Sequence, residues 1–393
     1  MKTRFYHGRI VLRDQILENG ELLCEDGVIR SVGAAAETAD EAVDLNGALL
    51  VPGFIDIHCH GGGGFDFMDG SCEEIRQIAR HHLHHGTTTL VATTMTDRPE
   101  NIEAALTRLH EVFASGDAVT LHGVHMEGPW FSPEECGAQD PSIMSLPSPE
   151  AMEQWLAKFP HIERFSMAPE LPGAMECGRY GKAHDIVVAL GHTAADFDTA
   201  LEAAKNGFTL ATHLYSGMRG VIRVNAYRVA GAVEGCLFDD SMTVEIIADS
   251  KHLPVSLLRY IYKLKGADRI CLVTDANRGS GGKEGDYVTV GSLANGTPAI
   301  INDGVAKVLD GTCFAGSVAT TDRLFRNMAM YTEAGLTDVC RMASTTPARI
   351  MGYTDRGEIA PGKRADLVIL DQNYDVRQVY LAGRPVKDKE ETK

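Results

Sequence analysis

From residue 49 onward, short apolar runs alternate with longer segments that have the periodicity of a helix. The eight apolar runs that are candidate strands are residues 50–58, 88–94, 119–126, 164–168, 186–190, 209–213, 243–247 and 270–274. Helical segments separate most of them, for example residues 72–85, 99–114, 149–158, 196–206 and 254–265. This alternation is typical of βα units around a parallel sheet. Eight such units predict an α/β fold of one kind, the (β/α)8 TIM barrel.

The two ends of the chain differ from this middle part. Residues 1–50 contain short strand-like runs separated by turn sequences such as Glu25-Asp26-Gly27, and the same texture returns after residue 352. We therefore predict a small β-sandwich domain formed by both termini, from residues 1–50 and 353–393. The barrel would span residues 51–352, with a β-hairpin insertion near residues 285–307.

Composition limits the classes of partner. The 37 Lys and Arg residues against 54 Asp and Glu residues give a net charge of −17, which argues against nucleic acid or an anionic membrane as partner. The nine Cys residues show no C-x-x-C pair, as is usual for reduced thiols of the cytoplasm. No secretory signal and no apolar stretch of about 18 residues is recognisable. We expect a cytoplasmic protein with a small-molecule substrate.

Imidazoles and carboxylates recur where the predicted strands end. They are His58 and His60 after the first strand, Glu127 after the third, His192 after the fifth, His213 after the sixth, Asp249 and His252 after the seventh, and Asp275 after the eighth. The active site of a (β/α)8 barrel lies at this end of the strands. Because burying such groups without partners is costly, their joint occurrence predicts a metal site.

The spacing and the types of these residues suggest their roles. His58 and His60 are two positions apart, so a strand places both side chains on one side. One carboxylate (Glu127) and two imidazoles (His192 and His213) suit zinc with a position left for water. Such an ion lowers the pKa of its water toward about 7. Asp275 then has the position of a general base that passes the water's proton to a leaving amine.

Two other clusters have simpler interpretations. His81, His82, His84 and His85 lie in a predicted helix, where neighbouring positions spread around the axis, so we expect a solvated or partly packed helix face. The glycine run at residues 61–64 only loosely resembles a phosphate-binding loop. Its place directly after His60 suggests room for a metal and a substrate.

Longer segments around these residues carry a family resemblance. They are VPGFIDIH at 51–58, GTT at 86–88, HMEGP at 125–129, LGHTA at 190–194, ATHLY at 211–215, LVTDA at 272–276, DGT at 310–312, AGS at 315–317 and GKRADLV at 362–368. In them the chain resembles the N-acetylglucosamine-6-phosphate deacetylase family of the amidohydrolase superfamily, along essentially its whole length. The resemblance implies a zinc-type barrel with a β-sandwich from both termini, usually dimeric. It also implies removal of an acetyl group by metal-hydroxide attack.

The resemblance also assigns residues. It implies that Glu127, His192 and His213 bind the main metal, that Asp275 is the catalytic acid/base and that His252 contacts the substrate. Members with His-x-His after the first strand hold two metals, and His58 and His60 place this chain among them. The expected cofactor is a divalent metal, most readily zinc, as one or two ions. A His and carboxylate site also accepts iron, manganese or cobalt.

Several positions depart from the family pattern. The family's Gly-Ala-His reads Gly-Ala-Gln at 137–139, its Asn-Ala is replaced at 216–217, and its Arg-Glu-Pro-Gly segment, whose Arg reads the 6-phosphate, is absent near 223–228. The candidate substrate-binding residues are therefore His252, Gln139, Ser216, Gly217, Asn225 and Arg228. Because the residues for hydrolysis are all present, we predict retained hydrolysis with altered substrate recognition.

Three functions stay open from the sequence. The first is deacetylation of an N-acetylated amino sugar that resembles N-acetylglucosamine-6-phosphate. The second keeps the site but changes the substrate, to an N-acyl amino acid, a dipeptide, a cyclic amide or a non-phosphorylated N-acetyl sugar, since the fold alone does not choose among these. The third is a non-catalytic barrel protein. The cationic residues that are candidates for another anion site are Arg223, Arg228, Lys251 and Arg278.

Overall fold

A computed structural model describes residues 1–33 and 38–387, and a parallel barrel forms its centre. The eight barrel strands, in chain order, are Phe54–Cys59, Thr87–Thr94, Leu121–Glu127, Ile162–Met167, Val187–Leu190, Phe208–Ala211, Thr243–Ile246 and Ile270–Leu272. Each strand pairs in parallel with the next one in this series. The prediction of a (β/α)8 barrel is confirmed.

The barrel closes between its first and eighth strands. Cys59 and Ala276 form a parallel bridge. The backbone N–H of Asp275 donates to the carbonyl oxygen of His58 at 2.9 Å, and the N–H of His60 donates to the carbonyl oxygen of Ala276 at 2.8 Å. The closure therefore brings the His-x-His pair against Asp275, which is more than two hundred residues away in the chain.

Helices surround the barrel. The α-helices are Cys72–His84, Pro99–Ser115, Pro149–Lys158, Ala174–Ala183, Phe197–Lys205, Ala232–Phe238, Val255–Lys265, Thr321–Tyr331, Leu336–Cys340 and Thr346–Ile350. Short 3-10 turns span Pro133–Glu135, Pro141–Ile143 and Ala267–Arg269, and a π-helix spans Arg341–Thr345. Local sequence sets several helix ends: Ser71 and Glu74 form a capping box at the start of the first helix, which satisfies backbone N–H groups that have no partner within the helix.

Strands from both termini form a second sheet. They are Lys2–Val11, Ile16–Glu25, Val28–Gly33, Glu41–Asp44, Leu49–Pro52, Leu367–Leu370, Val376–Leu381 and Arg384–Pro385. All eight are hydrogen-bonded into one sheet, around a separate apolar core that includes Phe5, Leu22 and Leu367. The small β domain predicted from both termini is thus present, and its eight strands are hydrogen-bonded into one continuous sheet.

The first predicted barrel strand, residues 50–58, is in fact two strands. Leu49–Pro52 pairs with Leu367–Leu370 in the terminal sheet, and Phe54–Cys59 begins the barrel. Gly53 separates them, and a side chain there would lie 2.1 Å from Thr88 Oγ1. The domain boundary drawn between residues 50 and 51 therefore falls inside a strand, because one apolar run serves two sheets.

Smaller antiparallel pairs lie outside these two sheets. The insertion predicted as a hairpin has three strands, Tyr287–Val290, Thr297–Asn302 and Val305–Val308. Ile222–Val224 pairs with Tyr227–Val229, and Gly61–Gly62 pairs with Phe65–Asp66. Among the described residues, no helix is long and apolar enough to span a membrane.

Gly86 offers a test of how the barrel packs against the terminal sheet. Its φ is +88°, and an added Cβ would lie 2.8 Å from the Phe54 ring and 3.3 Å from Val368. Gly116 also has a positive φ, +70°, but faces open space. Gly116→Ala should cost only the left-handed backbone penalty, about 1–2 kcal/mol. Gly86→Ala should cost about 1–3 kcal/mol more because of overpacking.

The measurement is urea unfolding of both variants beside the unaltered protein. Equal destabilisation by the two substitutions would contradict the close packing at Gly86.

Candidate active site

Six side chains from five barrel strands converge at one end of the barrel. His58 Nε2 lies 3.3 Å from His60 Nε2, and His60 Nε2 lies 3.2 Å from Asp275 Oδ1. Glu127 Oε1 lies 3.0 Å from His213 Nε2 and 3.4 Å from His192 Nε2. All six residues are buried. The structure therefore brings together every residue that the sequence proposed for metal binding and for acid/base chemistry.

Glu127 joins the two halves of this centre. Its Oε2 lies 3.2 Å from His60 Nε2, on the side of His58 and Asp275, while its Oε1 faces His213 and His192. Oε1 is also 3.5 Å from His58 Nε2. One carboxylate is thus in contact with four imidazoles.

Three of the site residues lie just beyond their strands with left-handed backbone. The φ angles of His192, His213 and Asp275 are 45°, 27° and 48°. Non-glycine residues rarely adopt such angles, and they do so mostly where surrounding structure enforces them, commonly at functional sites. The turn at each residue ends the strand and directs the side chain into the centre.

Opposite charges within the centre shift its ionisation. Burial disfavours the charge on Glu127, but the surrounding imidazoles of His58, His192 and His213 lower the pKa of this carboxyl well below its usual range. Burial likewise disfavours the cation of His58, yet the carboxylates of Glu127 and Glu245 raise the pKa of His58 to about 9. For Asp275, His60 and His58 outweigh burial and lower the pKa. The two site carboxylates are therefore anionic near neutral pH.

The donor set fits a divalent ion. Two ligands of one tetrahedral zinc ion, each at 2.0–2.1 Å, lie about 3.3 Å apart. The Nε2 atoms of His58 and His60 are separated by 3.3 Å, and both face the same two carboxylates. Imidazole and carboxylate ligands suit zinc and also iron, manganese or cobalt.

The centre opens into a cavity of about 280 Å³. The volume lies just below the range of about 300–1,000 Å³ that is usual for ligand sites, so a ligand about the size of one sugar ring suits it. Four candidate substrate-binding residues line the cavity, namely Gln139, Ser216, Gly217 and His252. Asn225 and Arg228 are not among the described lining residues.

Asn225 and Arg228 lie apart from the described lining of this cavity, and their role in substrate binding stays a prediction. Asn225 forms the turn between strands Ile222–Val224 and Tyr227–Val229, and every residue from 221 to 228 is exposed. The sequence placed them near the site because they occupy the region of a family motif. The short antiparallel pairing carries them out into solvent instead.

Gln139 lines the cavity and also contacts the ionisable centre directly. Its Nε2–H group donates to Glu127 Oε2 at 3.1 Å, and its Oε1 accepts from the backbone N–H of Thr96 at 2.9 Å. A neutral amide at this position hydrogen-bonds without adding charge.

His252 is held in place by Asp249. Asp249 Oδ2 lies 2.8 Å from His252 Nδ1, and Asp249 Oδ1 accepts the backbone N–H groups of Lys251 and His252. The ring of Phe314 packs against the imidazole, with centroids 4.8 Å apart. These contacts fix the His252 ring at the cavity wall.

The histidine cluster lies on a partly packed helix face, as expected, whereas the glycine run differs from the sequence expectation. His82 is fully buried and lies 2.9 Å from the carbonyl oxygen of Gly61, and burial lowers the pKa of His82 to about 4. Only His84 of this cluster is exposed. A side chain at Gly62 would lie 2.7 Å from His82 Nε2. The glycine run therefore lets the chain pack under this helix and does not line the cavity.

A buried ion pair under the centre was missed by the sequence reasoning. Arg164 and Glu245 are both fully buried and are joined by a hydrogen bond between the guanidinium and the carboxylate. Burial opposes the charge of Glu245, but Arg164 and His58 outweigh it and lower its pKa to about 2. The available signal was a charged residue within each of two predicted buried strands, whereas only the strand ends were considered.

Comparisons with known proteins agree with the fold and the donor set of this site. The model of the Amidohydrolase family matches residues 49–386. An N-acetylglucosamine-6-phosphate deacetylase of Lysinibacillus sphaericus is 32% identical over 93% of this chain and 93% of its own. An N-acetylgalactosamine-6-phosphate deacetylase of Escherichia coli O157:H7 is 31% identical over 96% of this chain and 97% of its own.

A solved structure gives the same result. A variant of the N-acetyl-D-glucosamine-6-phosphate deacetylase of Mycobacterium smegmatis, in complex with N-acetyl-D-glucosamine-6-phosphate, is 31% identical. It covers 98% of both chains with a TM-score of 0.89.

The barrel, its donor set and these matches define an amidohydrolase. The chain belongs to the amidohydrolase family and, within it, to the N-acetylglucosamine-6-phosphate deacetylase family. The resemblance predicted from sequence is confirmed.

Glu127 should be needed for metal binding, because its carboxylate contacts both halves of the centre. We expect Glu127→Gln to lose most of its bound divalent metal after dialysis. Glu134→Gln is the matched control, because the Glu134 side chain is 71% exposed and pairs only with Arg219, an interaction of small value. Metal content by mass spectrometry is the measurement. A Glu127→Gln protein with the metal content of the control would refute the assignment.

Proposed function

We propose that this protein is a metal-dependent hydrolase that removes the acetyl group from an N-acetylated amino sugar similar to N-acetylglucosamine-6-phosphate. The observation that carries the proposal is the position of Asp275, whose carboxylate lies 3.2 Å from His60 Nε2 and also lines the cavity. The relatives that match this protein over nearly their whole length are deacetylases of N-acetylglucosamine-6-phosphate and N-acetylgalactosamine-6-phosphate. The non-catalytic alternative has no supporting observation.

We assign the ion-binding role to His58, His60, Glu127, His192 and His213. A divalent ion held by these donors would supply Lewis-acid activation of the amide carbonyl and of the attacking water. Two ions are favoured over one, because Glu127 contacts His58 and His60 on one side of the centre and His192 and His213 on the other. Zinc is the first choice on donor chemistry.

Asp275 moves the proton. Its pKa is lowered by the neighbouring imidazoles, so the carboxylate is ready to accept a proton from the attacking water. It then returns this proton to the amine nitrogen as the carbon–nitrogen bond breaks. The products are acetate and a free amino sugar.

The cavity walls orient the sugar. His252, fixed by Asp249, and the amide of Gln139 line the cavity, as do Ser216, next to His213, and Gly217, next to His192. We propose these four as substrate-binding residues. Their polar groups suit hydroxyl and amide functions of a sugar ring.

The test is release of amine from a substrate panel by the metal-loaded protein and by Asp275→Asn. We expect turnover of N-acetyl amino sugars and a loss of about 10²–10⁴ in rate in the variant. Asp303→Asn is the control, because Asp303 is exposed and pairs with Lys251 at the surface. Full activity of Asp275→Asn would exclude the proposed proton transfer.

The same panel separates the alternative substrates. N-acetyl sugars with and without a 6-phosphate are compared with N-acyl amino acids and cyclic amides. Neither arginine nor lysine is among the described residues that line the cavity, which favours the altered recognition expected from sequence. Turnover of amino acid derivatives alone would replace the proposed substrate class.

We further propose that the protein is a homodimer and that it is cytoplasmic, as the sequence suggested. The support for a dimer is a hairpin that exposes apolar side chains beside Arg223 and Arg228: Val221, Ile222, Val224 and Tyr227 are 54%, 37%, 46% and 78% exposed. A second copy of the chain is the proposed partner, since apolar surface of this kind gains by being covered. Cytoplasmic location is supported by nine cysteines that are all free thiols.

Tyr227→Asp should weaken the dimer, because it places a charge in the centre of this apolar hairpin. Tyr331→Asp, at a 48% exposed position on a barrel helix, is the control. Light scattering after size exclusion measures the mass. A monomeric unaltered protein, or equal behaviour of both variants, would contradict the proposed interface.

A further inference from the structure

Four polar residues form a buried network directly under the proposed ion site. Arg164 donates to the carboxylate of Glu245, to the carbonyl oxygen of Ile57 at 3.2 Å and to Thr212 Oγ1 at 3.1 Å. Thr212 Oγ1 and Ser166 Oγ are 2.7 Å apart. These contacts join the first, fourth, sixth and seventh barrel strands, where a barrel interior is usually filled by branched apolar side chains.

Glu245 connects this network to two of the proposed ligand residues. Its Oε2 lies 3.2 Å from His58 Nδ1 and accepts the backbone N–H of His213 at 3.1 Å. The contact to Nδ1 favours the tautomer in which His58 carries its proton there. Nε2 is then free to donate its lone pair to the centre.

His58 differs in this respect from the other proposed imidazole ligands. His192 Nδ1 lies 2.9 Å from a backbone carbonyl oxygen, that of Glu135. Within the described parts of the chain, the Nδ1 atoms of His60 and His213 are buried without a hydrogen-bond partner. Among these four imidazoles and their described contacts, only His58 has a side-chain carboxylate at its outer nitrogen.

A buried Arg–Glu pair is expensive to keep, because both charges leave water. Part of the barrel interior is apolar, with residues such as Val91, Leu210 and Val273. Carboxylates that hold a ligating imidazole fix its orientation and strengthen it as a metal donor. The network thus has the placement expected of support for a ligand.

We propose that Glu245, held by Arg164, is a positioning residue that orients His58 and thereby sets the ion affinity of the His58, His60 and Asp275 half of the centre. The half formed by His192 and His213 keeps most of its affinity, because its contact with Glu245 is made by the backbone N–H of His213 and not by an imidazole nitrogen. The inference rests on the proposed two-ion site, but it concerns ion binding alone and needs no substrate.

The experiment uses two variants of the full chain. Glu245→Gln keeps the shape of the side chain and removes the charge. The double variant Arg164→Met with Glu245→Gln also removes the guanidinium that the single variant leaves unpaired. Asp366→Asn is the control, because Asp366 is a buried carboxylate paired with Arg364 in the terminal sheet, away from the centre.

The probe is Co²⁺ added to chelator-treated protein, followed by its absorption spectrum and by competition with a chelator. We expect two ions in the unaltered protein and in the control. In both Glu245 variants, one ion should dissociate about 10–100-fold more readily, the usual effect of removing such a support. The other should bind within about twofold of its original affinity.

Two results would overturn the proposal: unchanged binding of both ions in folded variants, or equal weakening of both. A single ion in the unaltered protein would also overturn it. Near-ultraviolet circular dichroism reports folding. If neither variant folds, the test is made on the unaltered protein with ¹⁵N-labelled histidine. Long-range ¹H–¹⁵N spectra then report which ring nitrogen of His58 carries the proton, and the His58 signals are assigned by their absence from the spectrum of His58→Asn.

These spectra are taken on the metal-free protein at a pH above the His58 pKa of about 9, where the imidazole is neutral. The proposal then requires the Nδ1–H tautomer of His58, and the Nε2–H tautomer would exclude it. A wrong substrate proposal would appear differently. The loaded, unaltered protein would then bind both ions and hydrolyse none of the panel.

Discussion

The hydrogen bonds that close the barrel between its first and eighth strands are the contact on which the site depends. They join the backbone of His58 to Asp275 and that of His60 to Ala276. Without this closure the His-x-His pair and the proposed proton carrier would lie at opposite edges of an open sheet. The closed cylinder also turns the ends of the intervening strands toward one point, where Glu127 meets imidazoles from three other strands.

Bringing so many ionisable groups out of water requires compensation. Carboxylates and imidazoles are neighbours in the centre. Burial raises the pKa of Glu127 and of Asp275, but the imidazoles around each carboxylate lower it by more. A divalent ion matches this arrangement better than protons do, since it accepts several lone pairs at once. The left-handed backbone at His192, His213 and Asp275 is a further cost, and it is consistent with geometry kept for function.

Much of the fold could be predicted because hydrophobic periodicity is a local property. The alternation of apolar runs and helical segments identified all eight barrel strands to within a few residues. The residues closing those strands then predicted the centre, because parallel strands in a barrel present equivalent ends at one mouth. Errors arose where one run served two purposes, as at residues 50–58, where a glycine divides the terminal sheet from the barrel.

Predictions about single contacts were less successful, because contacts depend on which elements meet. Motif alignment selected Asn225 and Arg228 as substrate contacts, and only the structure shows that both lie in an exposed hairpin outside the described lining of the cavity. The glycine run after His60 was interpreted as space for a ligand, yet its neighbour is the buried His82. The ion pair of Arg164 and Glu245 could not be predicted, because no local sequence pattern indicates that residues 81 positions apart will be in contact.

The sequence by itself determined the barrel, the family and the set of candidate site residues, because periodicity and residue type are properties of the chain alone. Only the tertiary structure decided which residues face the cavity, that Gln139 contacts Glu127 and that Glu245 holds His58. The physical reason is that hydrogen bonds and ion pairs act over about 3 Å. Distances of that size between remote residues exist only after the strands have closed around a common axis.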